Sequence, residues 1–234
     1  MPPVRAPVAT LWSPPPHRRT LEPAEVHVWC TALEPPPPDA DTRATLCQTE
    51  LDRASRLRFP EDRRRFLAAH LFLRRILASY LDLSPASLRF HLTPRGKPLL
   101  ESHALHFNLS HSGNLALCAV RLDAPVGVDV EYLDPSIDIC QLLEECCTPQ
   151  EASSLGALPS QARFLSFFRL WTRKEAYLKA TGQGLSVPLC DVDLDAHGSR
   201  WHVQDLDPAP GYAAAIATLA GCHLSCWLWL GTAQ

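Results

Sequence analysis

Apolar residues recur at helical spacing through "EDRRRFLAAHLFLRRILASYL", where Phe66, Ala69, Leu73, Ile76, Leu77 and Tyr80 share one face and predict a long helix that packs a core. The helical pattern begins upstream, at "DTRATLCQTELDRASRLRF". It returns as a Cys-rich helix at about 137 to 147 and as "QARFLSFFRLWTRKEAYLKATG", which Gly182 ends. Between and after these segments the period shortens to that of strands: "EVHVWCTAL", "LRFHLTPRGKPLL" with a turn at "RGK", and "ALHFNLSHSGNLALCAVRL" with a hairpin turn at "SGN". Further strands are expected near "DVDLDA", "RWHVQDL", "GYAAAIATLA" and "HLSCWLWLG". The proline runs at 14–16 and 35–38 read as extended surface connections.

Each half of the chain thus offers a long helix and a few antiparallel strands, and the economical architecture is α+β, with two similar halves joined near Asp123 to Pro125. The division is a proline-rich segment with the first strand (1–41), an N-terminal half (42–125) and a C-terminal half (126–234).

One strand stands apart. In "VGVDVEYLD" the residues Val126, Val128 and Val130 alternate with Gly127, Asp129 and Glu131, so the valines share one face and the two carboxylates the other, about 7 Å apart along the backbone. Two carboxylates on one face of an apolar strand repel each other unless a cation or a proton intervenes. The plainer alternative is the acid face of an edge strand turned to water.

Composition narrows the classes. At 234 residues, 46% hydrophobic and 20% charged, the chain reads as a globular protein with a sizeable core, and a net charge of −3 gives no sign of a nucleic-acid binder. No apolar run reaches the length of a membrane span and the N-terminus lacks the apolar stretch of a signal peptide, so the expected location is the cytoplasm. Nine cysteines without a CxxC pair read as reduced, buried thiols; a zinc site built from His103, His106 and His111 has no cysteine or acidic partner at a closing spacing.

A third acid extends the carboxylate pair. Trp171, Glu175 and Lys179 stand at i, i+4 and i+8 of the second long helix, either as an ordinary Glu175–Lys179 ion pair or as a functional face. Oxygen-only ligands favour Mg²⁺, or Mn²⁺, over zinc, and magnesium borrows phosphate oxygens, so Asp129, Glu131 and Glu175 would suit a metal that holds a pyrophosphate. Cations and donors for phosphates lie upstream: Ser110 and His111 at one turn, Lys97 at another, Arg64 and Arg65 early in the first long helix. Each alone is ordinary, since a helix arginine is normally a solvated face.

Taken in order, "FNLSHSGNLALCAV", "VGVDVEYLD" and "FFRLWTRKEAYLKATGQGL" resemble the signature of the 4′-phosphopantetheinyl transferases, specifically the long, monomeric Sfp-type enzymes, over about Arg53 to Pro188. The resemblance implies two pseudo-symmetric α+β halves with the active site in the cleft between them. It implies transfer of the phosphopantetheine arm of coenzyme A to a serine of an apo acyl or peptidyl carrier protein, with release of adenosine 3′,5′-bisphosphate. It further implies that Asp129, Glu131 and Glu175 hold Mg²⁺, that Lys179 touches the phosphates, and that Ser110, His111, Lys97, Arg64 and Arg65 surround coenzyme A. Glu175, Lys179 and Asp129 form its catalytic set. Two positions depart from the pattern: Phe66 stands where some relatives have a hydroxyl residue, and Arg53 or Arg56 must replace upstream lysines. A non-catalytic module that keeps the cleft, or a Mg²⁺-dependent nucleotide hydrolase, is the alternative. Carrier docking is expected on "SIDICQLLEECCTPQEASSL", through Ile139, Leu142 and Leu143, unless these only pack the core.

Overall fold

Strand β1 (Glu25–Ala32) is buried from Val26 to Cys30, so both of its faces must be covered, and that requirement builds the layers of the molecule. The computed structural model describes residues 12–16, 19–33, 39–101, 104–122, 124–195 and 200–230. The proline run at 35–38, His103 and Asp123 lie outside the described residues, as do residues 1–11 of the N-terminal segment.

β1 pairs antiparallel with β5 (Leu115–Leu122), which forms a hairpin with β4 (Leu105–Ser112), and the last strand, β9 (His223–Leu228), joins the other side of β1 in parallel. Helix α3 (Pro60–Leu81) covers one face of this four-stranded sheet, with Ala69, Phe72, Leu73, Ile76 and Leu77 against Trp29, Phe107, Cys118 and Val120. Its opposite face, lined by Val26, Val28, Cys30, Leu117 and Ala119, meets Val128, Val130, Leu206 and Ile216 of a second, antiparallel sheet, together with Val126 just ahead of it. That sheet has the order β6 (Gly127–Tyr132), β8 (Tyr212–Leu219), β7 (Trp201–Leu206). Helix α6 (Ser160–Thr181) packs Ala176, Leu178 and Ala180 on its far side, against Ala215 and Ala217. The result is helix, sheet, sheet, helix. The valine face of β6 therefore looks into the inter-sheet core, and its Gly127–Asp129–Glu131 face looks at α6.

Smaller elements decorate the ends. Helices α1 (Asp39–Thr45) and α2 (Gln48–Ser55) precede α3, the hairpin β2 (Phe90–Leu92) and β3 (Pro98–Leu100) follows it, and α4 (Ile139–Cys146) and α5 (Pro149–Gly156) lead into α6. Both long helices stop at a residue in the left-handed region, Asp82 at φ +52° and Gly182 at φ +70°.

One expectation needs correction, and two readings are refined. The segment "DVDLDA" is no strand: after Pro188 the chain makes a 3₁₀ turn at Leu189–Asp191 and further turns, and the Leu189 carbonyl goes to the Lys174 ammonium (2.9 Å) instead of a sheet ladder. Strand β9 falls in the stretch assigned to the C-terminal half yet completes the four-stranded sheet, where Cys226 and Trp227 extend the apolar faces of β1. Ile139 packs into a core with Cys146, Phe167 and Phe168, with Leu142 and Leu143 partly buried against it, so this face of α4 is mainly core.

Lys174 is completely buried and donates to Glu151 (2.5 Å), the Cys146 carbonyl (3.1 Å) and the Leu189 carbonyl. A buried ammonium is tolerated only when paired and fully hydrogen-bonded, and this one ties α4, α5 and the 3₁₀ turn to α6 beside Glu175. All nine cysteines are free, and five are buried, which pushes the Cys30 thiol up to about 12 and those of Cys146 and Cys147 to about 11; Cys140, by contrast, is exposed. Among the described residues no helix is long and apolar enough to cross a membrane.

Candidate active site

Gly127 allows α6 to lie directly on β6: a Cβ at this position would sit 2.1 Å from the Ala176 carbonyl oxygen and 2.4 Å from the Ala180 nitrogen. This contact brings the acid face of the strand under the helix positions 175 and 179. Lys179 does not pair with Glu175 one turn away; its ammonium reaches Asp129 Oδ1 at 2.5 Å and Ser110 Oγ at 3.1 Å. Asp129 is 2% exposed, which disposes of an acid face turned to water. Ser110 Oγ also donates to Asp129 Oδ1 (2.9 Å), and Asp129 Oδ2 is buried without any hydrogen-bond partner.

The other two carboxylates carry the strain of crowding. Burial, followed by repulsion from Asp129, pushes Glu131 up to about 7, although Ser112 donates to its Oε2 at 2.7 Å. Glu175 is likewise raised, by burial and then by Asp129, and makes no hydrogen bond among the described residues. One ammonium thus stands against three carboxyl groups, and an unpartnered buried oxygen remains. The three acids are not closed into a ready-made ligand cluster among the described residues.

Beside this group, and sharing Ser112 with it, opens a pocket of about 400 Å³ lined by Arg53, Leu57, Asp62, Arg65, Phe66, His111, Ser112 and Gly113. Arg65 Nε donates to Asn114 Oδ1 at 3.1 Å. The His111 ring opens on the pocket but is crowded by protein elsewhere, and that desolvation, reinforced by His70, Lys179, Arg53 and Arg65, brings it down to about 4. Phe66 lines the pocket, stacked on His70 (4.1 Å between centroids) and with Arg53 over its ring (5.5 Å). A second pocket of about 580 Å³, largely apolar, shares Arg53 and is lined also by Glu50, His70, Arg74, Phe90 and Pro98.

Asp129, Glu131, Glu175, Lys179 and Ser110 therefore converge, with Arg65 and His111 next to them. Of the two upstream arginines, Arg53 lines this pocket and Arg56 is not among its lining residues. Arg64 is not brought in: it is solvent-exposed and paired with Glu61 at 3.0 Å. Lys97 stands apart from the carboxylates, its ammonium donating to the carbonyls of Lys179 (2.5 Å) and Val126 (3.3 Å), and burial lowers it to about 8. Asn108 and Ser112 also touch this group, Asn108 through the Val128 N–H and Ser112 through Glu131, and the motifs alone do not single them out. The signal available was the alternation N-x-S-x-S, which marks one face of a strand.

Sequence comparison bears on the family of the chain. A profile of the 4′-phosphopantetheinyl transferase superfamily matches residues 125–218, and one of the 4′-phosphopantetheinyl transferase N-terminal region matches 36–122. The chain is 46% identical over 220 residues to the 4′-phosphopantetheinyl transferase HetI of Nostoc sp. (strain PCC 7120), covering 88% of this chain and 92% of that protein. The chain belongs to the 4′-phosphopantetheinyl transferases. It is 34% identical over 178 residues to the transferase psf-1 of Bacillus pumilus (70% of this chain, 75% of that one). To Sfp of Bacillus subtilis (strain 168) it is 28% identical over 179 residues, 70% of this chain and 78% of Sfp. As a member of this family the phosphopantetheinyl transferase is an enzyme of the Sfp type that moves the phosphopantetheine group to carrier proteins.

Proposed function

We propose that this transferase takes the 4′-phosphopantetheine arm from coenzyme A and places it on the serine of an apo acyl or peptidyl carrier protein, with Mg²⁺ bound by Asp129, Glu131 and Glu175. The observation that carries the reading is the buried acid face of β6, with Asp129 Oδ2 unpartnered and Glu131 and Glu175 held above the ordinary carboxylate range. Such a set of hard oxygen donors, under-neutralised by Lys179 alone, fits a divalent cation. When bound, the ion would neutralise charge on the pyrophosphate and on the leaving phosphate.

The chain's own residues supply the rest. Lys179 faces the pyrophosphate, and Arg65, Arg53 and His111 hold the phosphates of the nucleotide end in the 400 Å³ pocket. The apolar pocket that shares Arg53 offers room for the base. The carrier serine oxygen attacks the phosphorus next to the pantetheine arm, a new P–O bond forms, and the bond to the bridging oxygen breaks to release adenosine 3′,5′-bisphosphate. Glu175, whose raised carboxylate is the stronger base for it, accepts the serine proton directly or through water. In this reading residues 42–125 serve the nucleotide and 126–234 the metal and the carrier, with exposed Tyr132 and Ile137 offering apolar contact near the site. One chain carries the whole site, which suits a monomer in the cytoplasm.

Incubation with coenzyme A, Mg²⁺ and a panel of apo carrier proteins is expected to give at least one carrier the mass gain of one phosphopantetheine arm. Coenzyme A bound but never transferred would favour a binding module, and coenzyme A cleaved without a carrier would favour a hydrolase.

His111 should act on binding more than on chemistry. Its replacement by Ala is expected to raise KM for coenzyme A about tenfold, the loss of one charge-assisted hydrogen bond at the low end of its usual range, with little change in kcat. Dephospho-coenzyme A should bind the variant and the parent almost alike. Equal discrimination between the two nucleotides by both proteins would remove His111 from the 3′-phosphate.

A further inference from the structure

Strand β6 is an edge of its sheet and β4 an edge of the other, and no backbone ladder joins them. Side chains do instead. Asn108, Ser110 and Ser112, at alternate positions of β4, accept from the backbone N–H groups of Val128 (2.8 Å), Val130 (3.4 Å) and Tyr132 (3.0 Å). The period of two on both strands keeps the three side chains in register with three successive inward N–H groups.

The two serines have a second role that Asn108 lacks. A hydroxyl that accepts from an N–H has its single proton left to aim elsewhere, and here Ser110 aims it at Asp129 Oδ1 and Ser112 at Glu131 Oε2. Asp129 is also held by Lys179, whereas among the described residues Ser112 is the one hydrogen-bond partner of the Glu131 carboxylate. We propose that Ser112 is a positioning residue for Glu131: through the Tyr132 N–H it is locked to the strand, and through its proton it fixes the rotamer in which Glu131 Oε1 is left for a divalent ion. The inference rests on the metal reading of the preceding subsection.

The test is Mn²⁺ binding followed by electron paramagnetic resonance, in the presence of coenzyme A and without a carrier, so that no turnover is involved. Ser112→Ala is expected to weaken Mn²⁺ binding by about tenfold, the lower end of what losing a partner of a metal-binding carboxylate costs, and Ser112→Thr to restore it. Asn108→Ala removes a seam hydrogen bond but touches no carboxylate; it should lower the melting temperature and leave Mn²⁺ affinity unchanged. Ser112→Cys, similar in shape but a weak donor, carries the same expectation as the Ala variant if that variant does not fold. Unchanged Mn²⁺ affinity in the Ser112 variants overturns the proposal, as does an equal loss in Asn108→Ala. A parent protein that binds no Mn²⁺ overturns the metal reading itself.

Discussion

Asp129→Asn is expected to lower the rate of phosphopantetheine transfer by at least about a hundredfold, on the scale seen when one preorganised electrostatic contact to a reacting centre is removed. The amide keeps the size of the side chain and one acceptor for Ser110, so the fold should survive. Lys179, which now neutralises Asp129 at 2.5 Å, would be left facing Glu131 and Glu175 without its partner. Turnover across a Mg²⁺ titration, alongside circular dichroism, separates the two effects: a native spectrum with activity not rescued by added Mg²⁺ is the expected pair of results. Parent-like turnover at ordinary Mg²⁺ would remove Asp129 from the metal site.

Gly127→Ala should damage the enzyme through packing alone. The added methyl would lie 2.1 Å from the Ala176 carbonyl oxygen, and this is backbone that cannot swing aside. Helix α6 must lift from β6, with an expected loss of at least about 1–3 kcal/mol and ~2–4 °C in Tm for each kcal/mol. The same displacement draws Glu175 and Lys179 away from Asp129. Activity should therefore fall well below the folded fraction at a temperature where the variant is folded. A variant with the parent's Tm and turnover would show that the helix is not seated by this contact.

The long helices were legible because their apolar faces span six turns each and end in capping residues, and β6 because its valines alternate without interruption. The convergence of Asp129, Glu131, Glu175 and Lys179 could be anticipated from the order of the motifs, but their pairing could not. Spacing along α6 favours Glu175 with Lys179, while the tertiary contact at Gly127 offers the ammonium a more buried partner in Asp129. Arg64 and Arg65 are adjacent in sequence and indistinguishable there; about 100° of helical rotation sends one to Glu61 and solvent and the other to Asn114 and the pocket. Helix α5 carries little sequence signature although Thr148 and Glu151 form a capping box, because the apolar run that normally follows such a box is missing. The side-chain seam needs two strands distant in sequence and has no signature within either one.

The parallel pairing of β9 with β1 has a bearing on how this molecule comes into being. Glu25 lies opposite His223 and Cys30 opposite Leu228, so the four-stranded sheet closes only when residues about 200 positions apart meet. Pairings of such long range are slow to form, since the loop must be closed before any contact rewards it. During synthesis β1 would wait with one edge open until nearly the whole described chain had been made, and a cut between the apparent halves would leave that edge bare on one fragment and its cover on the other. The stretch from 126 onward therefore cannot leave the earlier stretch to fold alone, because its last strand completes the sheet that the first one begins.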